Sequence, residues 1–298
     1  MPEGDTIFRS ATSLRPAMEG GVIAAATIRD RQFECDKIVG LTVRTVEARG
    51  KHLLMWVEEG IRNSECGVRI GDERGGVVPE NGANPSPSPS LRGRGMSAIH
   101  SHMGMTGSWH IYRAGEAWLK PAHYAALTLA IGELEVICFS PKLLELLTAD
   151  QVRTHRHLSR LGPDLLGGKF DVPAAVARFR ARNDLPIGEA MMNQTIVCGI
   201  GNVYKSDVLF LMKMDPMAAV AKFSDAELAA MLEKARLLML RNLTGAPRQT
   251  RFGGYAGRLW VYGRSGRPCP KCGTVIRLQR QGDAGRTTCW CPACQPAR

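Results

Sequence analysis

The chain has 298 residues, of which 44% are hydrophobic, and a formal net charge of +11 with a sequence pI near 9.4. That is enough apolar material for two domains and a small appendix, and the basic excess favours a polyanionic partner such as DNA, RNA or an acidic membrane. No run approaches the ~20 apolar residues of a membrane-spanning helix, and no signal core follows the N-terminus. A cytoplasmic location is expected, nucleoid-associated if the source is bacterial, and the chain is expected to be a monomer.

The chain opens MPEGDTIFRS. Removal of Met1 would make Pro2 a free secondary amine with the Glu3 carboxyl one residue away. That pair reads either as a nucleophile beside a general acid or as a plain helix start. From Thr6 to Met18 the apolar residues Ile7, Ala11, Leu14 and Met18 recur at helical spacing. VIAAATIR, LTVRTVEA and KHLLMWVE then read as strands. Residues 61–95, which include PSPSPS, are too polar and too rich in Gly and Pro to bury a core, and read as a flexible insertion. Strand patterns resume in MSAIHSHMGMTGSWHIY, HYAALTLAI and LEVICFS. His100 and His102 share one strand face there, but the sequence offers no third metal ligand nearby, so they are taken as ordinary strand residues.

The second half turns helical, with patterns over 150–161, 172–182, 186–198, 203–214 and 224–243. Ser224 and Glu227 form a capping-box signal for the last of these. LPIGEAMMNQTIVCGIGNVYKSDVLFLM reads as two helices joined by CGIGN, with Asn202 at the start of the second. Helix N-terminal amides and an Asn side chain are ready phosphate ligands. An ordinary helical hairpin would look the same.

Five of the nine cysteines fall in the last thirty residues. Cys269 with Cys272 and Cys291 with Cys294 form two Cys-x-x-Cys knuckles at the spacing of a zinc ribbon. One structural Zn2+ is expected, with Cys289 left over as an alternative to Cys291. Between the knuckles, GDAGRTT places Arg286 at a hairpin tip.

In their order, PEG, ARGKHLLM, SHMGMTGSW, LGPDLL, NQTIVCGIGNVY, RLWVYGRSGRPCPKCG and GRTTCWCPACQ resemble the formamidopyrimidine-DNA glycosylase and endonuclease VIII family of base-excision repair enzymes. The resemblance covers nearly the whole chain outside 61–95. It implies an α+β multidomain fold: a β-sandwich with an opening helix over 1–150, a helix–two-turn–helix domain over 151–262, and a zinc finger over 263–298. It implies a bifunctional glycosylase and lyase acting on DNA that carries damaged bases or abasic sites. Pro2 would be the nucleophile, Glu3 the general acid and Lys51 a catalytic, phosphate-contacting lysine. Asn202 and Arg286 would grip phosphate, and Met105 would lie on the loop that fills the gap left by an extruded nucleotide. The role of Asp5 stays open.

An α-amino group titrates near ~8 in unperturbed chains, so about a tenth of it is already unprotonated at pH 7. Attack on C1′ displaces the base and leaves an iminium that cannot shed its charge by losing an N–H, an electron sink for β- and then δ-elimination. CFSPKLLELL lacks the Arg/Phe wedge usual in purine-type members, the segment before the ribbon is short, and PEGDT looks like endonuclease VIII. Oxidised pyrimidines are therefore the expected substrates. Oxidised purines are the alternative, and a catalytically silent zinc-dependent damaged-DNA-binding protein is the second.

Overall fold

The computed structural model describes residues 2–29, 34–59, 95–253 and 257–298. The expected insertion at 61–95 lies outside them except for Gly95.

Helix α1 (Gly4–Met18) opens the chain and buries Ile7, Ala11, Leu14 and Met18, the stripe its spacing announced. Two four-stranded antiparallel sheets follow. One has the order β1 (Ile23–Ile28), β6 (Ala125–Ile131), β7 (Leu134–Phe139), β5 (Ser108–Arg113). The other has β2 (Leu41–Arg49), β3 (His52–Glu59), β4 (Ser97–His102), β8 (Leu143–Thr148). Val43, Leu53, Met55 and Ile99 of one sheet meet Leu127, Leu129 and Val136 of the other in a common core that also takes the buried face of α1. Full burial of each such side chain contributes ~1.5–3 kcal/mol. Strand β8 was not read from sequence, because the LLELL run fits a short helix as well as a strand.

Thr148 ends β8 and caps α2 (Ala149–Thr154) through a capping box with Gln151. The helical pattern expected to Leu161 stops at Thr154, and only a single 3₁₀ turn follows at Leu158–Arg160. Helices α3 (Val172–Arg180), α4 (Ile187–Met192), α5 (Asn202–Leu211) and α6 (Asp225–Arg241) complete the second half. The Ser224–Glu227 capping box of α6 is present as read.

Helix α4 is shorter than the expected 186–198 and has a local reason to stop. The Asn193 carboxamide oxygen accepts from the Thr195 amide at 3.0 Å and its hydroxyl at 2.8 Å, a side-chain turn that competes with the helix. From there the chain reaches α5 through a nine-residue connection, 193–201, instead of CGIGN alone. Gln194 stitches this connection together. Its Nε2 donates to the Ile200 carbonyl at 3.2 Å and its Oε1 accepts from the Gly199 amide at 3.0 Å.

The C-terminal hairpin, β9 (Arg277–Gln281) and β10 (Arg286–Trp290), packs against α5. The buried carboxylate of Asp207 on α5 accepts the amides of Trp260, Val261 and Tyr262 at 2.9, 3.0 and 2.9 Å. This anchors the strand of chain that leads into the hairpin. No helix among the described residues is long and apolar enough to cross a membrane.

Candidate active site and metal centre

A cleft of ≈930 Å³ opens between the β-sandwich, the helical region and the hairpin tip. Pro2, Lys51, Met105, Lys205 and Arg286 line it, with Ser140, Pro141 and Lys142 of the CFSPKLLELL stretch on the sandwich wall. Of the residues expected to act together, Pro2, Lys51, Met105 and Arg286 meet here from four separate parts of the chain, whereas Glu3 and Asn202 do not line the cleft.

Pro2 and Glu3 arrive just ahead of the first turn of α1. Glu3 has no exposed surface. Its Oε2 accepts from the Gly201 amide at 3.0 Å and its Oε1 from the Val203 amide at 2.9 Å. The carboxylate therefore sits on the positive end of α5, where a helix has unsatisfied N–H groups. Burial pushes its pKa above the ordinary carboxylate range, while Arg248, Lys51 and the Val203 amide pull it back. A carboxyl whose pKa is raised by burial keeps its proton to higher pH than an exposed one, the direction a proton donor needs.

The glycines of Gly199-Ile200-Gly201 have a concrete function. The Gly4 amide donates to the Gly199 carbonyl at 2.8 Å, which docks the start of α1 on the turn. A Cβ on Gly201 would stand 2.3 Å from the Glu3 carboxyl carbon. Gly201→Ala should therefore displace Glu3 and lower base excision by ~10²-fold, the scale of losing a positioned acid. Single-turnover rates on lesion DNA check this; an unchanged rate would contradict the tight placement of Glu3.

Lys51 occupies the two-residue turn between β2 and β3, where Arg49 pairs with His52 across the ladder. Gly50 takes φ +59 at the first turn position, the conformation such hairpin turns require. The Gly50 amide donates to Asp164 Oδ2 at 2.7 Å, so LGPDLL of the helical half holds the lysine turn in place. Burial lowers the Lys51 pKa to about 8, against the raising influence of Glu3.

Asn202 is the first helical residue of α5, after Gly201 as N-cap. It is 6% exposed and does not line the cleft, and its buried side-chain oxygen has no hydrogen-bond partner among the described residues. Arg286 is exposed at the start of β10, immediately after the 282–285 turn. Met105, 71% exposed, sits on the β4–β5 turn at the cleft rim.

Sequence reasoning missed Arg248. It lies between α6 and the hairpin and pairs with the buried Asp5, at 2.8 Å from Nε and 2.5 Å from Nη2. Asp5, whose role was open, does not line the cleft; Tyr204 also donates to it at 3.0 Å. Nothing in GAPRQTR marks Arg248 as a partner of a residue 243 positions away. Lys205 was also missed. This fully buried lysine of α5 donates from Nζ to the Thr287 carbonyl at 3.1 Å, which ties the hairpin to the helix.

The reading of His100 and His102 needs correction. A third and a fourth polar partner do stand nearby in space: Glu145 directly across the β4–β8 ladder, and His155 at the end of α2. Glu145 Oε1 lies 2.8 Å from His100 Nδ1 and 3.0 Å from His155 Nε2. His155 Nδ1 accepts the amides of His157 and Leu158 at 3.3 and 3.2 Å, so the proton of the neutral ring sits on Nε2 and is donated to Glu145. A ring in that tautomer offers a metal no lone pair at Nε2. His102 stays outside this group, its Nδ1 accepting the Gly104 amide at 3.2 Å.

At the C-terminus the Sγ atoms of Cys269, Cys272, Cys291 and Cys294 converge. Sulfur separations are 4.0 Å (Cys269–Cys294), 3.4 Å (Cys272–Cys291) and 3.5 Å (Cys272–Cys294). Tetrahedral Zn2+ with Zn–S bonds of about 2.3 Å places its sulfurs ~3.8 Å apart, so the donor set and its span fit that ion. Cys289, also buried, is not among the four converging thiols, and Cys291 is. Bound zinc would crosslink the two knuckles and do no chemistry in the cleft.

The chain matches the family model of the formamidopyrimidine-DNA glycosylase N-terminal domain over residues 1–142 and that of the formamidopyrimidine-DNA glycosylase H2TH domain over residues 161–251. It is 34% identical to the probable endonuclease 8 2 of Streptomyces coelicolor over 99% of this chain and 94% of that one. It is 32% identical to the DNA-(apurinic or apyrimidinic site) lyase Nei2 of Mycolicibacterium smegmatis over the full length of both. A formamidopyrimidine-DNA glycosylase of Gloeobacter violaceus shows 36% identity over 68% of this chain and 74% of its own. In fold it is similar to the Lactococcus lactis formamidopyrimidine-DNA glycosylase crystallised on DNA containing an abasic site (TM-score 0.72, 21% identity, 99% of this chain and 100% of the other). The Thermus thermophilus MutM (Fpg) structure is as similar, with a TM-score of 0.73 at 23% identity, covering both chains completely. With its opening Pro-Glu pair seated on the α5 turn and both family domains matched, the chain belongs to the formamidopyrimidine-DNA glycosylase and endonuclease VIII family of DNA glycosylases and AP lyases.

Proposed function

We propose that this enzyme removes oxidised pyrimidines, such as thymine glycol or dihydrouracil, and then nicks the strand at the abasic site through a Schiff base on Pro2. The observation that carries the chemical half is the Glu3 carboxyl, fully buried, held by two α5 amides, and adjacent in sequence to a cleft-lining Pro2. The free Pro2 amine attacks C1′ and the base departs, taking up a proton. Glu3 supplies protons for base departure and sugar ring opening. The resulting iminium acidifies C2′, a proton leaves from there, and the 3′ phosphate is expelled. Lys51 and Arg286 hold the phosphates that flank the extruded nucleotide.

The pyrimidine assignment rests on the cleft wall. Where purine-type members carry an Arg/Phe wedge, this chain presents Ser140, Pro141 and Lys142. Met105 is then the apolar side chain placed to fill the vacated stack. The full-length similarity to endonuclease 8 and Nei2 proteins supports the same choice. Excision rates on matched duplexes bearing dihydrouracil, thymine glycol or 8-oxoguanine test it. Faster release of the pyrimidines is expected, and a preference for 8-oxoguanine would overturn it.

The exposed Arg286 is expected to contact phosphate and no base edge. Arg286→Ala should weaken binding to damaged and undamaged duplex alike and reduce the slope of log Kd against log salt by about 1. A selective loss on lesion DNA would show that it reads the lesion instead.

A further inference from the structure

We propose that Arg248 is a positioning residue for the Pro2–Glu3 pair, clamping the first turn of α1 from below and giving Glu3 a fixed positive neighbour. It rests on the reading of Glu3 as the proton donor and adds a residue that sets how that donor behaves.

The clamp is geometric. Arg248 Nε and Nη2 grip the two Asp5 oxygens, and Nη2 also donates to Thr6 Oγ1 at 2.7 Å. Nη1 stands 3.8 Å from Glu3 Oε1. The guanidinium lies over the Tyr204 ring, 5.3 Å from its centroid, and Tyr204 closes the set by donating to Asp5. Both carboxylates have no exposed surface, and the Arg248 side chain is 13% exposed. A planar fork that meets one carboxylate with two donors while reaching a second is a task a lysine performs less well.

Arg248 is itself held firmly. Asn242, at the end of α6, donates to the Gln249 carbonyl and accepts from its amide, each at 2.8 Å. Arg9 of α1 donates to the Ala246 carbonyl at 3.0 Å. The segment before the hairpin thus reports its position to α1 through one side chain.

The charges around Glu3 come from every element packed on it: Asp5 from α1, Lys51 from the β2–β3 turn, Tyr204 and Lys205 from α5, Arg248 from the segment after α6, and Tyr262 ahead of the hairpin. Arg248 is the largest charge opposing the effect of burial on Glu3. Without it, two buried carboxylates face each other across one turn, and Glu3 keeps its proton to higher pH.

The test compares single-turnover excision of dihydrouracil against pH for the wild type, Glu3→Gln, Arg248→Met, Arg248→Lys and the charge-neutral double variant Asp5→Asn/Arg248→Met. Glu3→Gln should abolish the alkaline limb of the profile, where the rate falls as the Glu3 proton is lost. Arg248→Met should move that limb up by about one pH unit, the size of losing an opposite charge at this range. Arg248→Lys should move it back part of the way. The double variant removes the unpaired Asp5 charge, and its limb should also stand above the wild-type position. A rate lowered by one factor at every pH in both Met-containing proteins, with the limb unmoved, would overturn the inference and leave Arg248 a purely structural clamp. A wild-type alkaline limb that survives in Glu3→Gln would instead contradict the reading of Glu3, which separates the two failures.

Discussion

Glu3→Gln is expected to lower base excision from lesion DNA by ~10³-fold while leaving duplex affinity within about threefold. The carboxamide is nearly isosteric and still offers one acceptor to the amides of Gly201 and Val203, so the turn should keep its shape. The proton is lost, however, and so is the charge that Lys51 and Arg248 are arranged around. The mutant NH₂ would also face one of two backbone N–H groups, a donor against a donor. Stopped single-turnover assays on dihydrouracil duplex, beside a binding isotherm, separate chemistry from affinity. A rate within tenfold of wild type would remove Glu3 from the mechanism.

Cys272→Ser should release the zinc and uncouple the hairpin. Apparent binding energies for four-ligand zinc sites are of order 10–16 kcal/mol, far more than a two-stranded hairpin holds by itself. The consequence should be local. Arg286 would lose its place at the start of β10, and the Lys205 contact to Thr287 would go with it. The sandwich and α1–α6 have their own large core, which contains no cysteine of the ribbon, and should stay folded. Metal analysis, circular dichroism and strand cleavage on abasic-site DNA should show no bound zinc, near-native helix content and a large loss of cleavage. Retained zinc with normal cleavage would contradict the assignment of Cys272.

What could be read in the chain was what is local or carried by spacing. The α1 stripe, the Ser224–Glu227 box and the two cysteine knuckles each sit within a few residues of one another, and each appears in the structure as read. Pro2, Glu3, Lys51 and Arg286 could be named because their motifs stand in order, although nothing in their spacing says that they meet. What could not be read depends on partners far apart in the chain. Arg248 acquires its meaning from Asp5, and the Gly201 requirement comes from Glu3 some two hundred residues earlier. Glu145 and His155 join His100 only once β8 pairs with β4 and α2 folds back. The end of α4 was lost for a different reason. Its apolar periodicity continues past Asn193, and a single carboxamide bonding to Thr195 outweighs it.

The central claim is that Pro2, freed of Met1, is the nucleophile. Borohydride reduction of the zinc-loaded enzyme on an abasic-site oligonucleotide, followed by mass spectrometry of the adduct, tests it most directly. The account predicts a covalent cross-link on Pro2 in a chain lacking Met1, in yield comparable to the strand cleavage it replaces. A cross-link on Lys51 or Lys205, or efficient DNA binding with no trapped adduct, would contradict it.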